Sequence, residues 1–329
     1  MRGYTRASAL GPIADFVETR GGSITRVFQR ADLPVGLLDS RDQPLPLKDQ
    51  FNVLSEAGRE IGEPFFGAAL GRLVSMEKLS AFGIWVSCAA TLEGAIDRSN
   101  RGLNRYLQTG TVLEFNVIGK TARWSIEFLD PGADGRFQNE LLGVSYLIDG
   151  VRHFAGSKWS PALIRSTCVG SKQAAALEKV FQAPVLHGCK VTAVEFDASL
   201  ISAVGCRHPV VETSVDYILP PVSGYREEVK TLLAIALLEG PPKIDWIASK
   251  LDTSRRSLQR SLVSEACSYS MLLDEMRKDR ALTLLRSTDH NVTDIALQLG
   301  YSDGAHFTRA FRRWTGTAPL RYRNAKVAL

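Results

Sequence analysis

The sequence lacks several features that would place the protein in a membrane or in an oxidising compartment. It contains no run of 18 or more apolar residues, which argues against a membrane-spanning helix. Its first twenty residues acquire charge before any long apolar stretch forms, so they do not resemble a secretory signal. Its five cysteines are widely spaced and include no CxxC pair. We therefore expect reduced thiols in a cytoplasmic protein that does not bind a membrane.

The sequence also has no glycine-rich phosphate loop and no cysteines or histidines at zinc-ligand spacing. His187 and Cys189 could touch a metal ion, but no further ligands lie near them in the sequence. We therefore predict no catalytic residues, no metal site and no cofactor. We expect that the protein is not an enzyme.

The net positive charge of the chain is confined to its last third. Residues 224–329 contain 17 Lys and Arg against 12 Asp and Glu, whereas residues 1–223 contain 23 of each. A basic C-terminal module beside a neutral body favours a polyanion as partner, most simply nucleic acid. The length of 329 residues is typical of about two domains.

The first two hundred residues show several helical patterns. Apolar residues recur at helical spacing over 51–61, and a second pattern follows Thr91, a good N-cap, to a stop at Gly110. Further helical patterns cover 140–154 and 172–181, the latter behind Ser171.

The same region contains strand patterns. LEFNV, from Leu113, and RWSIEFL, from Arg123, each place apolar side chains on one face. Gly119-Lys120 between them suits a two-residue hairpin turn that begins with glycine. A third strand is predicted over 190–197. We therefore predict an α+β domain with an antiparallel sheet over residues 1–206.

A change of composition separates this region from the rest. Residues 207–224 contain prolines and serines and no periodic pattern, which predicts a linker. Beyond it, residues 225–329 predict an all-α domain. One helix is expected from Tyr225 to Gly240, before a Pro-Pro pair, and a long one over 271–286.

The C-terminal region contains one short unit twice, WIASKLDTSRRSLQRSL and DIALQLGYSDGAHFTRAF. Ala248 matches Ala296 at an offset of 48, and Leu258 matches Phe307 at an offset of 49. Because the offset changes between the halves, each unit predicts a helix, a short turn and a second helix. The small alanines allow the two helices to cross closely. We thus predict two helix-turn-helix units joined by a linker helix.

The turn residues support this interpretation. Ser254 and Ser302 are predicted to cap the second helix of each unit. Gly300 can adopt the left-handed backbone that such a turn requires, and Asp252 occupies the equivalent position in the first unit.

The second helix of each unit carries side chains suited to DNA. Arginine can bond two acceptors on guanine, and glutamine can do so on adenine, in the major groove. A helical bundle with a solvated basic face is the alternative for a single unit, but two such units favour DNA binding. The candidate DNA-binding residues are Ser254, Arg255, Arg256, Gln259, Arg260, Asp303, Gly304, Thr308, Arg309 and Arg312.

The stretch ALTLLRSTDHNVTDIALQLGYSDGAHFTRAFRRWTGTAPLRYR resembles the signature of the AraC/XylS family of bacterial transcription regulators. The resemblance implies that two recognition helices enter successive major grooves of promoter DNA and that RNA polymerase is a partner. It also implies an activator. The chain departs from the family pattern at Asp252 and at Gly304-Ala305, and Gly304 has no side chain with which to reach a base.

The N-terminal region resembles the arabinose-binding-type domain of one branch of this family, in LPLKDQFNVLSEAGREIGEPFFGAALG and VFQAPVLHGCKVTAVEFDASLIS. Such domains bind a small effector, dimerise, or do both. The resemblance therefore implies an unidentified small-molecule effector and a possible homodimer. The candidate ligand contacts are Trp85, Arg123, Tyr146 and His153.

Three alternatives compete with an effector-responsive regulator. The N-terminal domain could serve only to dimerise or to bind a protein partner, so that regulation needs no ligand. A repair methyltransferase with a similar DNA-binding tail would need four clustered cysteines, and the five here are scattered. A nucleoid-type protein would bind DNA with an affinity set mainly by salt.

Overall fold

A computed structural model describes residues 3–130, 135–205, 218–219, 224–240 and 242–327. The chain forms two compact units, Met1–Pro220 and Pro221–Leu329. The predicted linker, residues 207–224, lies almost entirely outside the described residues, and so does Cys206. The three domain ranges therefore stay a prediction. None of the described helices is long and apolar enough to cross a membrane.

The N-terminal unit is an α+β fold, as the sequence predicts. Short 3₁₀ helices cover Ala7–Leu10, Val35–Asp39 and Ala198–Ser202. The strands are β1 (Tyr4–Arg6), β2 (Pro44–Pro46), β3 (Thr111–Ile118), β4 (Thr121–Phe128), β5 (Leu163–Arg165), β6 (Val185–Leu186) and β7 (Thr192–Asp197). The α-helices are α1 (Ile13–Glu18), α2 (Ile24–Arg30), α3 (Leu47–Ile61), α4 (Phe66–Gly71), α5 (Met76–Leu79), α6 (Ala81–Ser87), α7 (Leu92–Tyr106), α8 (Arg136–Ala155) and α9 (Ser171–Phe181).

A five-stranded sheet in the order β3-β4-β7-β5-β6 forms one layer of this unit. All its pairs are antiparallel except β5 with β6. The hairpin prediction is confirmed: Ile118 pairs with Thr121, and Gly119 takes a left-handed φ of 60° between them. Helix α8 packs on β4 and β7, and α3 and α4 pack on α8. The main core lies between these layers, where Trp124 and Phe128 are buried.

The helix after Thr91 forms, but it ends earlier than predicted. Thr91 Oγ1 accepts a hydrogen bond from Gly94 N–H at 3.2 Å, so the N-cap is confirmed. The stop at Gly110 is wrong, because α7 ends at Tyr106. Thr109 N–H donates to Tyr4 O at 2.7 Å and draws the chain toward β1. Gly110 instead has a φ of 67° in the turn that leads into β3.

Two other helix starts differ from the prediction. Helix α8 begins at Arg136, four residues before the predicted start, behind Gly135 with a φ of 89°. Its first turn lacks an apolar period, but Asn139 is buried there through a hydrogen bond with Gln50. Ser171 is the first residue of α9, behind Gly170, and makes no side-chain cap.

The described part of the C-terminal unit is all-α and confirms the two predicted helix-turn-helix units. Its helices are α10 (Tyr225–Ala236), α11 (Ile244–Lys250), α12 (Arg255–Ser264), α13 (Tyr269–Ser287), α14 (Val292–Gln298), α15 (Gly304–Thr315) and α16 (Pro319–Val327). The first unit pairs α11 with α12, and the second pairs α14 with α15. Between them lies the linker helix α13, which begins behind the capping hydroxyl of Ser268.

Aromatic rings fill the core of the second unit. Phe307 and Phe311 are fully buried, and their ring centroids lie 5.7 Å apart. Trp314 and Tyr322 each contact Phe311, at 6.5 and 5.6 Å between centroids. In the first unit Leu258 replaces the first of these rings and is equally buried.

Candidate nucleic-acid interface

The two helix-turn-helix turns have the same backbone geometry. Asp252 has a φ of 49° and Gly300 one of 77°, so both occupy the left-handed region. After each turn residue, a backbone N–H donates a hydrogen bond to a carbonyl of the first helix. Thr253 N–H donates to Ala248 O at 3.0 Å, and Tyr301 N–H donates to Ala296 O at 2.9 Å. Asp252 therefore adopts the conformation that glycine would take more easily.

The two alanines that match in sequence also match in position. Ala248 and Ala296 are both buried where the helices of each unit approach. A larger side chain there would push the second helix of the unit away from the first. In the second unit Ala296 lies in one core cluster with Phe307 and Phe311 of α15, so its small side chain suits the close packing of the two helices.

The N-caps of the two second helices differ. Ser254 Oγ accepts from Ser257 N–H at 3.2 Å, as predicted. In the second unit the predicted cap, Ser302, is wrong: Asp303 Oδ1 accepts from His306 N–H at 2.7 Å. Ser302 Oγ instead donates to Asp303 Oδ2 at 3.2 Å. The hydrogen bond from the His306 amide holds the pKa of Asp303 below its usual value.

The exposed face of α12 is long and polar. Arg256, Gln259 and Arg260 are exposed, and their spacing of three and four residues places them on one side of the helix. The buried Leu258 lies on the other side. Arg255 is exposed at the start of the helix, with Nη1 3.8 Å from Asp245 Oδ2.

The exposed face of α15 is shorter near its N-terminus. Gly304 is the first helical residue, and Ala305 is exposed at the position that matches Arg256. Thr308 is half-buried, and its hydroxyl donates to Gly304 O at 2.7 Å. The cationic side chains come later: Arg309 and Arg312 are exposed on this helix.

The candidate DNA-binding residues omit two exposed positions on this surface. Val263 is 70% exposed and matches Arg312 at the offset of 49. Ala305 matches Arg256 at the same offset. The offset of 49 identifies both positions from the sequence, although neither side chain is polar.

Arg277 holds the turn of the second unit from the linker helix. Its Nε donates to Leu299 O at 2.9 Å and its Nη2 to Gly300 O at 3.4 Å. Its guanidinium also lies 4.8 Å from the ring centroid of Tyr301. Because these carbonyls end α14, the cation fixes the point where the chain turns toward α15. Sequence reasoning missed this residue, since its partners lie 22 and 23 residues away.

Glu265 connects the end of α12 to the start of α10. Its Oε1 accepts from Tyr225 N–H at 2.9 Å, and its Oε2 accepts from Arg226 N–H at 3.0 Å. One carboxylate thus satisfies two amides of the first turn of α10, where helix N–H groups have no intrahelical partner. Helix α12 is thereby tied to α10, the first helix of the C-terminal unit.

An apolar cavity lies in the N-terminal unit among α3, α7, α8 and the β3-β4 hairpin. Its volume is about 60 Å³, and about 530 Å³ with the atom-free space at its mouth. Of the four ligand candidates only Tyr146 lines it, and burial raises the pKa of the Tyr146 hydroxyl. Tyr146 also borders a second cleft of about 390 Å³, which Arg41 and Lys78 line as well.

The other three ligand candidates lie elsewhere in the unit. Trp85 stacks edge-on against Tyr106 at 5.9 Å between ring centroids. Arg123 Nε donates to Glu195 Oε1 at 2.7 Å. His153 packs edge-on against the neighbouring Phe154 ring. Ligand contact by these residues stays a prediction. Within the described ranges, no group of three His, Cys, Asp or Glu side chains could hold a metal ion.

Known proteins resemble both units. Residues 21–203 match the model described as the arabinose-binding domain of AraC transcription regulator, N-term, and residues 247–325 match a helix-turn-helix domain. The ornithine utilization regulator of Pseudomonas aeruginosa is 28% identical over 326 residues, 95% of this chain and 94% of its own. The HTH-type transcriptional regulator VirS of Mycobacterium tuberculosis is 26% identical over 330 residues, 97% and 96% of the two chains. The crystal structure of the transcriptional regulator CdpR from Pseudomonas aeruginosa aligns with a TM-score of 0.41 at 22% identity, covering 90% of this chain and 97% of that one.

Proposed function

This chain belongs to the AraC family of DNA-binding transcription regulators, and we propose that it inserts α12 and α15 into successive major grooves of promoter DNA. The observation that supports this proposal is the pair of matching turns, at Asp252 and Gly300, each followed by a capped helix with an exposed cationic face. Regulators of the AraC family act by binding DNA through two helix-turn-helix units, and they are generally not enzymes. We propose no catalytic activity here.

The length of the linker helix supports the proposal that the two units bind successive major grooves. Helix α13 contains 19 residues, which corresponds to about 28 Å at the usual rise of an α-helix. Successive major grooves on one face of B-DNA are about 34 Å apart. A rigid helix of this length between the two units suits one groove per unit.

The proposed contacts follow from exposure and reach. In the first groove Arg256, Gln259 and Arg260 contact base edges. In the second groove Arg309 and Arg312 contact bases or the flanking phosphates. The remaining candidates lie in or near the first turns of the two helices, beside these residues: Ser254, Arg255, Asp303, Gly304 and Thr308.

We propose that the N-terminal unit binds a small effector and forms a homodimer. The proposed organisation of the chain is an effector domain at 1–206, a linker at 207–224 and a DNA-binding domain at 225–329. The match to an arabinose-binding-type domain over residues 21–203 and the cavity beside Tyr146 support an effector. We propose that the protein activates transcription through RNA polymerase. Because its proposed partner is promoter DNA, we propose that the protein is located in the bacterial cytoplasm.

Hydroxyl-radical footprinting of the full chain on a selected DNA site tests the proposal. We expect two protected patches on one face of the duplex, centred one helical turn apart. Binding should also persist against excess random DNA. A single patch, or protection that follows salt alone and no sequence, would contradict it.

A further inference from the structure

The apolar cavity of the N-terminal unit has a lining that restricts what it can bind. Among its described lining residues no side chain carries a charge; most are Leu, Ile, Phe, Met and Ala. A buried ion without a partner is strongly unfavourable in such surroundings. A zwitterionic amino acid or a carboxylate therefore does not suit this cavity.

Two of the few polar side chains in the lining, Ser99 and Gln108, make hydrogen bonds within the protein. Ser99 Oγ donates to Ala95 O at 2.8 Å, within its own helix. Gln108 Nε2 donates to Thr111 Oγ1 at 2.8 Å. A sugar would need several free partners for its hydroxyl groups, and these contacts leave few. The lining thus disfavours a polyhydroxylated ligand, whatever the description of the family model suggests.

One polar atom in the lining residues is both buried and unpaired. Gln50 is 2% exposed and lines the cavity from α3, and its Nε2 donates to Asn139 Oδ1 at 2.6 Å. Its other amide atom, Oε1, is buried and has no hydrogen-bond partner within the described structure. Buried acceptors are normally paired, and an unpaired one at a binding cavity is a place for a ligand donor.

We propose that the effector is a compact, neutral, mainly apolar molecule, such as a single ring, with one O–H or N–H that donates to Gln50 Oε1. This inference rests on the proposed effector role of the N-terminal unit. The apolar body fills the space between α7, α8 and the hairpin. Because the cavity of about 60 Å³ is smaller than the roughly 150 Å³ that holds benzene, Met76, a flexible side chain in the lining, has to move to admit a ring.

Two probes of nearly equal size test the proposal on the full chain. Fluorine NMR titration gives dissociation constants for para-fluorophenol, which has a donor, and para-fluorotoluene, which has none. We expect para-fluorophenol to bind about three- to tenfold more tightly, the effect of one net hydrogen bond. Millimolar L-arabinose and L-ornithine should not displace it.

Matched variants locate the donor. Gln50→Leu should remove the difference between the probes. Ser87→Ala is the control, because Ser87 Oγ is another buried unpaired atom that does not line the cavity. Should Gln50→Leu fail to fold, Leu113→Phe narrows the cavity at a half-buried position and should weaken both probes.

The proposal is overturned if neither probe binds, if both bind equally, or if their difference survives in Gln50→Leu. Displacement by L-ornithine or L-arabinose also overturns it, although effector binding itself would then stand. Retention of a selected DNA site by the same samples separates the two ideas. Specific DNA binding without probe binding overturns only the ligand class, and probe binding without specific DNA binding overturns only the proposed function.

Discussion

The two helix-turn-helix units share a backbone but present different surfaces. The first carries Arg256, Gln259 and Arg260 on the exposed face of α12. The second carries Ala305 and Arg309 at the positions of the two arginines, and its Thr308 hydroxyl is committed to its own helix. Since base edges are read mainly by long polar side chains near the helix start, we propose that the first unit discriminates bases more strictly than the second.

The supports of the two units differ as well. The turn of the second unit is held by a cation, Arg277, and capped by an acid, Asp303. The first unit has a neutral cap, Ser254, and its far end is tied to α10 by Glu265. Each difference offers a way to change one unit and leave the other intact.

The largest effect is expected from Arg277→Met, which alters the second unit only. The variant loses two hydrogen bonds from a charged donor to Leu299 O and Gly300 O, so we expect about 2–3 kcal/mol of lost stability. Urea unfolding measures it, with Lys278→Met on the same helix as the control. Equal stability of the two variants would show that the turn does not need the cation.

Arg260→Ala should change base reading in the first groove. If Arg260 bonds a guanine, we expect specific binding to weaken by about 1–3 kcal/mol and the preference at that base pair to relax. Competition binding against single-base variants of the site measures both. Arg255→Ala is the comparison, because a phosphate contact should weaken binding to all sequences alike. Unchanged affinity and preference in Arg260→Ala would remove that residue from the interface.

A smaller effect is expected at the neutral cap. Ser254→Ala leaves the amide of Ser257 without its side-chain acceptor, which should cost about 1 kcal/mol of stability. Ser302→Ala is the control in the second unit, because Ser302 does not cap α15. Thermal unfolding of both variants decides the matter, and an equal loss in Ser302→Ala would restore Ser302 as a cap.

The smallest effect is a difference in acid sensitivity. The folded pKa of Asp303 is lowered, so its stabilising contribution is complete above its unfolded pKa of about 4 and disappears as the pH falls through the folded value. Asp303→Asn keeps an acceptor without a charge. We expect its melting temperature to fall less than that of the wild type when the pH drops below about 4. Parallel curves of melting temperature against pH for the two proteins would mean that the charge of Asp303 does not contribute to stability.

Local sequence signals account for the repeat, the turns and the Ser254 cap, because each depends on residues a few positions apart. They predict the wrong N-cap for α15, Ser302 in place of Asp303, because both of these adjacent residues can cap a helix. They also missed the early start of α8, where burial of Asn139 by Gln50 replaces an apolar period. Arg277, Glu265 and the cavity depend on contacts between distant segments, which periodicity does not reveal.

The most direct test of the difference between the two units is selection of binding sites from randomised DNA with the full chain. We expect two half-sites one helical turn apart, with a stricter base preference in one half. Arg260→Ala should relax the strict half, and Arg309→Ala should affect the other. Equal preference in both halves, or relaxation of both halves by either variant, would contradict the account.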